Sequence, residues 1–76
     1  KVFVMNANET FVVVDLETTG QSVTKGGRII QIGMTFIKHR QIIDHFESFV
    51  NPGQLIDRNI QQLTHIAQKD VKNAPY

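Results

Sequence analysis

Two carboxylates, Asp15 and Glu17, stand two residues apart at the end of the apolar run Phe11-Val12-Val13-Val14. Side chains of a strand alternate between faces, so positions i and i+2 point the same way. On a strand the pair shares one face, with Cβ atoms roughly 7 Å apart. Two anions that close repel each other unless a cation lies between them, and hard oxygen ligands suit Mg²⁺ or Mn²⁺. The pair therefore predicts a metal site, followed at once by a turn, Thr18-Thr19-Gly20.

Other ligand-binding patterns fail on spacing. Asp15, Glu17, Thr19 and Gly20 fit the first, third, fifth and sixth places of a calcium loop, but the twelfth place is Gly26, where a bidentate Glu is required. The flanks are also strand-like rather than helical. Lys25-Gly26-Gly27 lacks the Gly-Lys-Ser/Thr order of a phosphate-binding loop. There is no cysteine, which excludes disulfides and Cys-ligated zinc.

The elements that must position the acids follow from periodicity. Phe11 to Leu16 reads as a central strand covered on both faces. Residues 21–27 form a polar loop with Gly26-Gly27. Arg28 to Ile37 reads as a second strand, with Ile30, Ile32, Met34 and Phe36 on one face. Lys38-His39-Arg40-Gln41 is a hairpin connection, and Ile42 to Val50 is a third strand ended by Asn51-Pro52-Gly53. Ile56, Ile60, Leu63 and Ile66 then recur at helical spacing, which predicts a helix from Asp57 to Leu63 with Asp57 as N-cap. A second short helix is expected from Ala67 to Asn73, stopped by Ala74-Pro75. Residues 1–9 carry the least signal and read as a lead-in segment.

At 76 residues the chain makes one small domain at most, with 41% apolar and 20% charged residues and a formal net charge of +1. The basic residues are scattered, so charge alone points to no partner. No apolar run approaches the ~20 residues needed to cross a bilayer. A soluble, cytoplasmic setting without a membrane partner is the expectation, and Lys1 in place of Met suggests a piece of a longer protein.

The block from Val12 to Gly20 resembles the first motif of the DEDD, or DnaQ-like, 3′→5′ exonucleases. Later segments match in order: Arg28-Ile29-Ile30-Gln31-Ile32-Gly33, Asn51-Pro52, Leu63-Thr64-His65-Ile66 and Ala74-Pro75. Gln31, where many members carry Glu, and Gln61-Gln62-Leu63-Thr64 look closest to the N-terminal exonuclease domain of bacterial DinG-type helicases. The resemblance implies an α/β, RNase H-like exonuclease fold, cut here to a three-stranded antiparallel meander plus short helices. Residues 10–76 would be the N-terminal half of that domain.

The resemblance also implies roles. Family members hold two divalent cations, Mg²⁺ or Mn²⁺, by four acids; Asp15 matches the acid that touches both ions, and Glu17 the one on the water-activating ion. Thr18, Thr19 and Gly20 match the turn that holds the terminal sugar. Leu16 matches a residue beside the terminal base, and Thr64 and Ile66 border the substrate pocket. Many relatives read Gly at His65 and Thr at Ala67, so the close backbone approach there is altered. Gln31 reads as a residue near the site rather than a ligand, and His39 and His45 as solvated side chains.

The second motif, an Asn followed by an aromatic-Asp pair, and the third, with a His or Tyr base and a final Asp, do not occur before Tyr76. The expectation is a chain with two of four metal acids and no base, inactive by itself. The complete protein would act on single-stranded or frayed DNA or RNA 3′ ends, with ATP needed only by an attached helicase part. The edge of Phe11–Leu16 would lack its parallel neighbour, which predicts self-association. A proofreading-type exonuclease, or a non-catalytic binding module built on the same fold, is the alternative.

Overall fold

β-Branched and aromatic residues dominate the first fifty positions, and the chain arranges them in one antiparallel sheet. The computed structural model describes residues 1–7, 9–20 and 22–76. Its strands are β1 (Val2–Ala7), β2 (Thr10–Thr18), β3 (Ile29–Lys38) and β4 (Gln41–Phe49), paired in that order. A 3₁₀ turn, Val23–Lys25, lies between β2 and β3, and helices α1 (Arg58–Thr64) and α2 (Gln68–Val71) follow the sheet.

The expected meander is present as β2–β4, but the sheet has four strands rather than three. Residues read as a lead-in form β1, which pairs antiparallel with β2 from Val2 opposite Asp15 to Ala7 opposite Thr10. The bare edge that motivated the expectation of self-association is therefore covered, and the sheet edges are β1 and β4. The β3–β4 connection is also tighter than expected. Lys38 pairs with Gln41, and His39 and Arg40 take φ values of 52° and 66°, as a two-residue turn of type I′ requires.

Two irregularities shape the sheet. Between β3 and β4 the register shifts after Phe36, so Phe36 faces Asp44 while Ile37 faces Ile42. Between β2 and β3 it shifts at the acid motif: Glu17 faces Gln31, and Thr18 faces Ile29. Ile30 is the residue left over by this bulge, and its side chain is fully buried.

Ile30 anchors the core. It packs with Ile56, Ile66 and Val71, and with the partly buried Phe49 and Ile60, so the helices cover the sheet end where β2 finishes and β3 starts. Side-chain amides tie the connecting loops there. Gln68 Oε1 accepts from the Ile56 amide at 2.7 Å, Gln61 Nε2 donates to the Ile56 carbonyl at 2.9 Å, and Gln54 Nε2 donates to the Gly26 carbonyl at 3.0 Å.

Helix limits differ by small steps from the expected ones. α1 runs one residue later than Asp57 to Leu63, and Asp57 sits at its N-cap without a side-chain cap hydrogen bond. α2 is shorter than Ala67 to Asn73. Its first turn is closed by Asp70, whose carboxylate accepts from the Ala67 amide at 2.8 Å.

Candidate active site

Strand alternation places Val13, Asp15 and Glu17 on one face of β2, as the sequence predicts. The register then fixes what stands beside them. Val13 is in line with Thr35 and His45, Asp15 with Gly33 and Glu47, and Glu17 with Gln31 and Phe49. Asp15, Glu17, Gln31, Gly33, Thr35, His45 and Glu47 line one open groove on this face. Gly33 is its floor: without a side chain, it leaves the space between Asp15 and Glu47 open.

On its β4 side the groove is internally linked by polar side chains. Gln31 Nε2 donates to Glu47 Oε1 at 2.8 Å. The other Glu47 oxygen lies 3.5 Å from His45 Nε2, and His45 Nδ1 is 3.1 Å from the Thr35 hydroxyl. The sequence reading missed Glu47 altogether and left His39 and His45 as solvated. His39 is in the exposed hairpin turn, and His45, also exposed, is in addition part of this linked row.

The β2 side is open. The Asp15 side chain is 60% exposed. Among the described residues, no side-chain or backbone donor bonds to the Glu17 carboxylate, and no group of three His, Asp or Glu side chains converges as a metal cage would. The donor set still suits Mg²⁺, which keeps several waters and is bound through one or two carboxylates plus substrate phosphates. Two solvent-facing carboxylates on one strand face supply that share of the ligands and no more.

The turn after the acids is held from within. Thr18 Oγ1 accepts from the Gly20 amide at 3.1 Å, and Thr19 Oγ1 accepts from the Arg28 amide at 3.0 Å. The Gly20 N–H is thus engaged, and what the turn still offers outward is hydroxyl hydrogen. Gly20 has φ +94°, and a Cβ there would meet Ile60 Cδ1 of α1 at 3.0 Å. The turn and α1 are therefore pressed together.

Leu16 points to the opposite face from the acids, in register with Ile32, so its side chain does not reach the groove. Thr64 closes the end of α1: its hydroxyl donates to the Ile60 carbonyl at 2.8 Å and accepts from the Ile66 amide at 3.2 Å. Ile66 is 3% exposed and belongs to the core. His65 is the left-handed C-cap of α1, with φ 60° and ψ 24°, a backbone region that Gly enters without steric cost.

The exonuclease family model (RNase_T) matches residues 12–76. The chain is 45% identical over 65 residues to the 3′-5′ exonuclease DinG of Bacillus subtilis (strain 168), a match covering 86% of this chain and 7% of that protein. It is also 45% identical over 67 residues to the 3′-5′ exonuclease DinG of Staphylococcus aureus (strain USA300), covering 88% of this chain and 7% of the relative. The chain thus spans a small part of the curated relatives it matches, and the part it spans holds the acid motif, the turn and the helices packed against it. By that match this chain belongs to the exonuclease family.

Proposed function

We propose that this segment contributes the first two metal-binding acids of a 3′→5′ exonuclease. The observation that carries the reading is the shared groove of Asp15 and Glu17, set directly before the Thr18-Thr19-Gly20 turn, in a chain of the exonuclease family. In the longer protein the remaining acids and a general base would complete the site. The relatives' name, 3′-5′ exonuclease DinG, supports a DinG-type assignment; an ATP-using helicase part and a cytoplasmic location would follow from the sequence resemblance.

Asp15 and Glu17 would hold divalent cations, Mg²⁺ or Mn²⁺. Bound there, such ions lower the pKa of an attacking water and stabilise the leaving 3′ oxygen. The chain's own residues supply binding and orientation. The two carboxylates would hold the cations and, through them, set where the terminal phosphate sits. The Thr18 and Thr19 hydroxyls donate toward the last sugar while their acceptor sides stay on backbone amides. Packing of Gly20 against Ile60 keeps the turn at a fixed height above the sheet end. A turn held in this way favours a strand terminus over an internal bond.

The test is a single-stranded oligonucleotide carrying a 5′ label, incubated with the full-length protein and Mg²⁺. The expected product is a ladder shortening from the 3′ end that stops when a chelator is added. Shortening from the 5′ end, or cleavage that survives chelation, would remove the reading.

A further inference from the structure

We propose that Gln31, held by Glu47, is a positioning residue for the Glu17 carboxylate. The inference rests on the reading of Asp15 and Glu17 as metal-binding acids and adds a second pair of residues to that site.

Gln31 sits on the middle of three strands, directly opposite Glu17 of β2 and diagonal to Glu47 of β4. Directly opposed residues have Cβ atoms about 4.5–5.5 Å apart, within reach of a Gln and a Glu side chain. An amide nitrogen carries two N–H donors at a fixed angle. One is occupied by Glu47 Oε1 at 2.8 Å, on the β4 side. The second has no partner among the described residues, and neither has the carboxylate of Glu17, which stands opposite on β2. A single neutral side chain can thus bridge carboxylates on both flanking strands.

Glu47 in turn is restrained from behind. Its second oxygen contacts His45 Nε2 at 3.5 Å, and His45 is fixed on Thr35 at 3.1 Å. The row Thr35–His45–Glu47–Gln31 thus stops at Gln31, one strand spacing from Glu17, and Gly33 places no side chain beside it. A carboxylate offers about four lone-pair positions on its two oxygens. One N–H on one oxygen leaves the other oxygen oriented for a cation, which is how outer residues set the geometry of metal ligands. A carboxylate at position 31 could not do this, because it has no donor and would repel both neighbours. The competing account is that the Gln31–Glu47 bond only staples β3 to β4.

The two accounts separate in metal binding. Mn²⁺ affinity is measured by calorimetry on the full-length protein, without nucleic acid, for wild type, Gln31→Met, Glu47→Val, Glu47→Gln and Asp15→Ala. Met keeps the size of Gln without its donors, and Val keeps strand preference without an acceptor. Gln at position 47 still accepts from Gln31. Gln31→Met and Glu47→Val should each weaken Mn²⁺ binding by about tenfold, at the low end for outer partners of metal ligands. Glu47→Gln should restore near-wild-type affinity. Unchanged affinity in the Met and Val variants, while Asp15→Ala loses binding, would overturn the positioning role and leave the metal site intact. Equal weakening in Glu47→Gln and Glu47→Val would also overturn it, since loss of charge rather than of the bond would then be the cause. Unchanged binding in Asp15→Ala would overturn both readings together.

Discussion

The two ends of the sheet are built differently. At the end where β2 meets the Thr18-Thr19-Gly20 turn, Ile30, Ile56, Ile66 and Val71 are sealed against one another, and both helices lie there. At the other end, around the β1–β2 and β3–β4 turns, Val4, Ile42 and Phe11 stand 65%, 70% and 45% exposed. Four aliphatic residues are thus sealed at one end, although Leu55 and Leu63 beside them stand exposed, and no comparable cluster forms at the other end among the described residues. The contrast shows what the local packing accomplishes: it fixes the turn after the acids, while the far strands, whose side chains are at most half-buried, rely more on backbone pairing.

Substitutions at the two ends should therefore diverge, and local stability by hydrogen exchange on the full-length protein reads them out. The largest loss is expected for Ile30→Ala, about 2–5 kcal/mol, because a fully buried side chain leaves a cavity at the bulge. Gly20→Ala should cost about 1–2 kcal/mol, since the residue has φ +94° and its new Cβ would press on Ile60. His65→Gly should be slightly stabilising, by less than about 1 kcal/mol, as relief of the left-handed strain is partly offset by a more flexible unfolded chain. Val4→Thr at the open end should stay within about 0.5 kcal/mol. A Val4 effect as large as that of Ile30 would erase the contrast between the ends.

Much of this was legible in the residues. The β-branched runs from Phe11 and from Ile29 announced two strands, and the period change at Ile56 announced the helices. Strand alternation alone put Asp15 and Glu17 on one face. β1 was not legible, because no Gly or Pro separates Val2-Phe3-Val4-Met5 from β2; its one available signal was a second β-branched and aromatic run of strand length. Asn8, in that connection, lies outside the described residues, as does Gln21 of the polar loop.

Glu47 escaped notice for a geometric reason. Counting outward from the Lys38–Gln41 pair places Phe46 opposite Gly33, with Glu47 on the wrong face. The extra residue beside Phe36 moves Glu47 into line with Asp15 instead. A bulge of this kind leaves no mark in the periodicity of a strand whose residues are mostly exposed. Ile66 was easier to place. Its helical spacing from Ile56, Ile60 and Leu63 pointed to the core, where the side chain lies.

The central claim is that Asp15 holds the metal on which cleavage depends. It is tested most directly by comparing Asp15→Ala with wild type in the full-length protein, reading both 3′-terminal cleavage in Mg²⁺ and single-strand binding. The account predicts that cleavage falls by about 10³-fold or more, the scale of several kcal/mol of lost transition-state stabilisation, while binding of the strand changes little. Turnover within a few-fold of wild type would contradict it.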